Sequence, residues 1–286
     1  PEQQREILSL LDELEDAERK EAARHSFLGF ISMAWPSFIE GRHHKIMADA
    51  FERVANGELK RLIINMPPRH TKSEFASYLL PAWFLGRFPE KKIIQTAHTA
   101  ELSVGFGRKV RNLVDSEDFK AVFPSVSLRS DSKAAGRWST NKGGEYFAIG
   151  VGGAVTGKGA DLLIIDDPHS EQEGQSADPG VFDKVYEWYT SGPRQRLQPG
   201  GAIIVVMTRW HKRDLTGQIL KSSLQRQGSD EWEVIEFPAI MPSGEPLWPQ
   251  FWPKAELEAL RNELPAPKWN AQYQQNPTSE EGALVK

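Results

Sequence analysis

At 286 residues, with 39% hydrophobic and 26% charged positions, the chain is long enough for one large α/β domain with accessory pieces, and its composition is that of a globular protein. The lack of cysteine excludes a disulfide framework, a thiolate zinc site and a cysteine nucleophile, and no apolar run approaches the roughly 18–20 residues of a membrane span. A net charge of −4 gives no global attraction to nucleic acid. The charge is uneven, however. Acids outnumber bases eight to three from Glu2 to Glu21, whereas bases outnumber acids eleven to six from Arg87 to Lys142, where a polyanion could dock on what is otherwise a solvated surface.

In chain order, residues 1–40 read as mainly helical, with Ile7, Leu10, Leu11 and Leu14 at helical spacing. His44–Ala55 repeats that period and stops at Asn56-Gly57. Strands and helices then alternate. Leu62–Met66 is a short apolar strand, Pro67–Thr71 a loop, and a helix follows from about Lys72. Lys92–Ala97 is a second strand, and Thr99 caps a helix whose expected inner face is Leu102, Phe106, Val110 and Leu113. Trp138–Val151 predicts a hairpin turning at Asn141–Gly144. Leu162–Ile165 and Ala202–Met207 are unalternating apolar strands, so both faces should be buried. This order predicts a doubly wound, mostly parallel sheet. After Pro238 the chain turns rich in proline and tryptophan and reads as a small helical attachment.

Three strand ends carry the chemistry. Pro67-Pro68-Arg69-His70-Thr71-Lys72-Ser73 follows the first strand where a phosphate loop, G-x-x-x-x-G-K-[ST], would lie. In such a loop backbone N–H groups and the helix start hold phosphates, the lysine spans the β- and γ-phosphates, and the hydroxyl ligates magnesium. Lys72 and Ser73 are in place, but Met66 and Thr71 occupy the glycine positions; prolines fix the loop, and Arg69 adds a phosphate-capable cation. A second segment, Gly152–Lys158, fits the glycine pattern better. It is followed by Gly159 instead of a hydroxyl and leaves no room for a helix before the next strand, so it is the worse site. That next strand ends in Asp166-Asp167, the arrangement that places one acid at magnesium and the next against the attacking water. The third strand ends in Thr208-Arg209, both candidates to sense a γ-phosphate. His44 and Trp35 are candidates to stack on a purine, although surface exposure is the ordinary role for His44 and core packing for Trp35. His43-His44 and His211 have no metal-ligand partner at readable spacing.

Together MPPRHTKSE (66–74), TGKGADLLIIDDP (156–168), VVMTRWH (205–211) and WNAQYQQNP (269–277) make the chain resemble the ATPase domain of the large terminase subunit of tailed bacteriophages, over about residues 40–280. The resemblance implies a RecA-like P-loop NTPase of the additional-strand type. It would comprise a helical segment over 1–40, the ATPase core over 41–240 and a small C-terminal subdomain over 241–286. ATP and Mg²⁺ are the implied cofactors. Lys72 would bind the β/γ-phosphates within a cradle of Pro67, Pro68, Arg69, His70, Thr71 and Ser73; Ser73 and Asp166 would hold the metal, and Asp167 would orient water. The implied partners are double-stranded DNA, a portal protein, a small terminase subunit and further copies in a ring on the portal, with work in the host cytoplasm and no membrane. A C-terminal RNase H-like nuclease is also implied, and Lys286 lies about where it would begin. The pattern departs twice. The second acid, often glutamate, is Asp167; and the position that often carries an arginine reaching a neighbour's ATP is Lys158. Three alternatives stay open: a helicase-like remodelling ATPase, a degenerate P-loop kept as a docking module, and a metal-dependent nuclease using Asp166-Asp167.

Overall fold

The computed structural model describes residues 2–176, 178 and 180–277, so the last part of the expected 241–286 segment lies outside the described residues. Eight strands form one sheet: β1 (Arg61–Asn65), β2 (Lys92–Ala97), β3 (Leu128–Ala134), β4 (Arg137–Thr140), β5 (Glu145–Gly150), β6 (Ala160–Asp166), β7 (Leu197–Met207) and β8 (Glu233–Glu236). Their spatial order is β3-β4-β5-β2-β6-β7-β1-β8. From β5 to β8 every pairing is parallel, and at the other edge β4 pairs antiparallel with both β5 and β3, so β4 alone runs against the rest. The β4–β5 hairpin turns where the sequence indicates. Strands β3 and β8 are additions: Leu128–Ala134 is mostly exposed and Glu233–Glu236 is only four residues, so neither makes a strong apolar run.

The unbroken apolar strands are explained by two cores. Because side chains alternate across a strand, Leu62, Ile64, Leu162, Ile164, Ile204 and Val206 pack on one face with Phe27, Met47, Phe75 and Trp83. Ile63, Leu163, Ile165, Ile203, Val205 and Met207 pack on the other, against Val185 and Tyr189 of helix Gly180–Ser191 and Leu215 and Ile219 of helix Leu215–Gln225. With both faces covered, no polar alternation is needed. A third, small cluster of Ala239, Leu257 and Trp269 gathers helices Lys254–Glu263 and Ala266–Gln272.

Two helix faces differ from expectation. Thr99 caps helix Ala100–Val114 through the Leu102 N–H, but Leu102 itself is exposed. Val110 and Leu113 are buried as expected, but the rest of the inner face is Ser103, Gly107 and Val114, because a Cβ at Gly107 would stand 2.4 Å from the Ala135 carbonyl oxygen and only a bare backbone fits there. In helix Glu2–His25 the periodic residues Ile7, Leu10, Leu11 and Leu14 are exposed, and the helix is anchored near its other end by buried Ala23 and by Arg24 donating to the Val122 carbonyl. Among the described residues no helix is long and apolar enough to cross a membrane.

Candidate functional site

The carboxyl ends of β1, β6 and β7 converge, with β7 lying between the other two. Strand β1 delivers the loop Pro67–Thr71, which enters a π-helical segment, Glu74–Leu79, continuing as helix Leu80–Arg87. Arg69 and Thr71 adopt φ of 61° and 70°, the left-handed region that glycine normally supplies. Each costs about 1–2 kcal/mol for an L-residue, and the surroundings hold both. The Trp252 indole N–H donates to the Arg69 carbonyl at 3.3 Å. The Gly41 N–H donates to Nδ1 of His44, which leaves Nε2 of that ring as the donor to Thr71 Oγ1 at 2.7 Å. The absent glycines are thus replaced by braced side chains, and a backbone alternating in this way turns successive N–H groups into an anion-binding concavity.

Lys72 is almost buried, and its Nζ meets Asp167 Oδ2 at 2.8 Å. Ser73 Oγ donates to Asp166 Oδ1 at 2.9 Å. The two acids, adjacent on an extended strand, still both reach the loop because Asp167 turns to a φ of 39° at the strand end. Asp167 Oδ1 accepts the Thr208 N–H at 2.8 Å, and Thr208 Oγ1 donates to the Met66 carbonyl, so the ends of all three strands are tied together. Burial holds the Asp166 carboxyl well above the usual carboxylate range, with the neighbouring Asp167 charge adding to the effect against the pull of Lys72 and two serines. A buried carboxylate beside a hydroxyl, both hard oxygens, with no cluster of three or more acidic or histidine ligands among the described residues, suits a small divalent cation that keeps most of its waters.

The other expected site residues are placed as follows. Pro67 is buried and Pro68 half-buried, while Arg69 is exposed. His70 is buried, its Nδ1 donating to the Pro68 carbonyl and its ring stacked on Trp252, and burial lowers its pKa to about 4. His44 is a correction: it is fully buried, stacked on Phe75 and walled by Phe38 and Trp248, so it braces the loop and offers no face to a purine. Trp35 packs against Phe38 at the margin of the core. Arg209 is a second correction, because its guanidinium is committed to Asp214 at 2.9 Å within a buried pair, with Glu236 beyond. Lys158 is the third. Its side chain is mostly covered, 3.4 Å from Glu145 and over the Phe147 ring. Glu145 begins β5 and is level with Asp161 in the sheet, so Lys158 lies at the end of the sheet opposite Asp166, roughly 17 Å away along the strand direction by strand rise. Asp161 lies at that same far end, held by Lys91 and the Lys92 N–H.

Some residues were not found in the sequence. Ser77 donates to Asp166 Oδ2 at 2.7 Å; its signal was the spacing of four from Ser73 on one helix. Asp214 caps helix Leu215–Gln225 and holds Arg209. Gln275, in the tail segment, accepts the Arg209 N–H.

No family model and no curated protein matches this sequence, whereas solved structures match its architecture. The HK97 bacteriophage large terminase superposes with a TM-score of 0.57 at 15% identity, over 91% of this chain and 55% of that one. A mutant of the Thermus phage P74-26 large terminase ATPase domain superposes with a TM-score of 0.53 at 14% identity, over 87% of this chain and 98% of that one. The fold is that of a large terminase ATPase domain. The additional strand of that fold is β7, inserted between the loop-bearing β1 and the acidic β6. The chain spans about half the length of the HK97 terminase and nearly all of the P74-26 ATPase domain.

Proposed function

We propose that this chain is the ATP-hydrolysing motor domain of a phage large terminase, which moves double-stranded DNA into a procapsid. The observation that carries the reading is the paired contact of consecutive loop residues with consecutive acids, Lys72 with Asp167 and Ser73 with Asp166. The terminase-like fold supports packaging over a helicase-like remodeller, and the braced loop argues against a degenerate docking module.

In this reading an incoming triphosphate takes Lys72 from Asp167. Lys72 then neutralises the β/γ-phosphate oxygens, and the released Asp167 turns to orient the attacking water and accept its proton. Ser73 and Asp166 would hold a magnesium ion, which would supply positive charge to offset the charge that develops on the phosphates. Thr208, bonded to Asp167 through its N–H, would report that release to β7. Arg209 would act through Asp214 and Gln275 as the link to the C-terminal tail. Lys158, already neutralised by Glu145, is assigned to the fold and not to a neighbour's phosphate.

Arg108, Lys133, Arg137 and Lys142 are exposed and have no ion-pair partner among the described residues, and they are the candidate DNA-facing charges. A ring of copies on a portal, and a small terminase subunit, complete the proposed machine. Magnesium-dependent ATP turnover by the purified chain, raised by added double-stranded DNA, tests the reading; absence of turnover with and without DNA would sink it.

A further inference from the structure

A line of buried polar groups leads away from the metal-side acid, and nothing in the reaction above uses it. Ser77 donates to Asp166 Oδ2 at 2.7 Å, Gln95 Nε2 donates to Ser77 Oγ at 3.3 Å, and Tyr146 OH donates to Gln95 Oε1 at 3.4 Å. Ser77 belongs to the π-helical segment, Gln95 to β2 and Tyr146 to β5, and all three side chains are fully buried. Apolar residues would fill these positions at less desolvation cost, so their polarity needs a reason.

The donor directions supply it. A carboxyl that holds a cation must be ionised, and a carboxylate only accepts, so in that state the Ser77 proton must point to Asp166. The Ser77 oxygen is then left as an acceptor and requires an N–H, which turns the Gln95 amide so that its oxygen faces Tyr146. Every hydrogen in the series points toward Asp166, and each bond fixes the direction of the next. Tyr146 is itself fixed by stacking on Trp138 at 5.1 Å, and Trp138 donates to the Gly107 carbonyl. The result is a carboxylate with Oδ2 occupied and Oδ1 directed at Ser73.

We propose that Ser77, held by Gln95 and through it by Tyr146, is a positioning residue that fixes Asp166 so that Oδ1 alone faces the cation-binding side. This rests on the functional reading above. It also separates Ser77 from Ser73: Ser73 sits where a metal ligand is needed, whereas Ser77 orients a ligand from behind, the relation by which outer hydrogen bonds set metal affinity. Because the support spans β2 and β5, the metal site is tied to strands that carry no reacting group.

The test is binding of a fluorescent ATP analogue to the whole chain, titrated with Mg²⁺ and repeated in EDTA. Ser77→Ala raises the Mg²⁺ concentration for half-maximal binding about tenfold and leaves metal-free affinity unchanged. Ser77→Thr, which keeps the hydroxyl, restores the original requirement. A general structural defect would instead weaken binding with and without metal. Should Ser77→Ala fail to fold, Gln95→Met carries the same expectation, because it removes the donor to Ser77 at similar volume. A folded Ser77→Ala or Gln95→Met chain with an unchanged magnesium requirement overturns the proposal while leaving the function intact. An unsubstituted chain that binds no nucleotide overturns both.

Discussion

The two ends of the sheet each hold a lysine in a loop that carries phosphate-loop features, and they are not alike. At the carboxyl end, Lys72 is almost buried, faces Asp167 at 2.8 Å and opens a helix. At the amino end, Lys158 follows Gly157, adjoins no helix and neutralises Glu145. The glycine pattern favours the second, and the geometry favours the first. What a phosphate site needs is left-handed backbone and a helix start. Arg69 and Thr71 supply that backbone once His44 and Trp252 brace them.

The sharpest break between the two ends is expected from alanine. Lys72→Ala should lower ATP turnover by about 10²–10⁴-fold, since it removes the charge on the transferred phosphoryl group; turnover at the original rate would move the site elsewhere. Asp167→Asn should lower turnover by about 10²-fold or more. The same change frees Lys72 from its resting partner, so nucleotide should bind at least as tightly, and loss of binding measured by titration calorimetry would contradict the proposed exchange.

A third effect concerns the bracing. Burial lowers the pKa of His43 to about 3, of His44 to about 2 and of His70 to about 4, against 6.5 for an exposed histidine. The unfolded chain therefore binds protons below about pH 6.5 that the folded chain refuses. Stability from this cluster is complete above that pH and is lost as pH falls toward 4, by up to about 1.4 kcal/mol per pH unit for each ring. The melting temperature should decline from pH 6.5 to 4.5 and flatten above 7, and a constant value down to pH 4.5 would show that the rings are not buried and neutral. The smallest effect is expected at the other end: Lys158→Ala should leave ATP binding and turnover unchanged within about twofold, because its charge is spent on a partly exposed pair. A large loss of turnover under conditions where copies assemble would restore a role for it across a subunit boundary.

Much of the fold was legible because the inner strands are apolar on both faces, and β2 in particular is the segment Lys92–Ala97 that the sequence marks. Strand β8 was hidden by its length and β3 by its exposure. Lys72, Ser73, Asp166 and Asp167 were legible as a set because strand ends converge in a doubly wound sheet. Ser77 and Gln95 were not, since a polar residue in a helix or strand has no pattern until its partner across the fold is known. His44 was misread for a related reason: a histidine beside another charged-looking residue reads as surface, and only the packing of Phe38, Phe75 and Trp248 shows otherwise.

The central claim is that the glycine-poor loop, and not the glycine-rich one, is the phosphate site. A structure with a magnesium–nucleotide analogue tests it most directly. The account predicts Lys72 Nζ within about 3 Å of a β- or γ-phosphate oxygen, Asp167 released from that lysine, and Lys158 still beside Glu145. Phosphate bound by residues 152–159, with Lys72 still paired to Asp167, would contradict it.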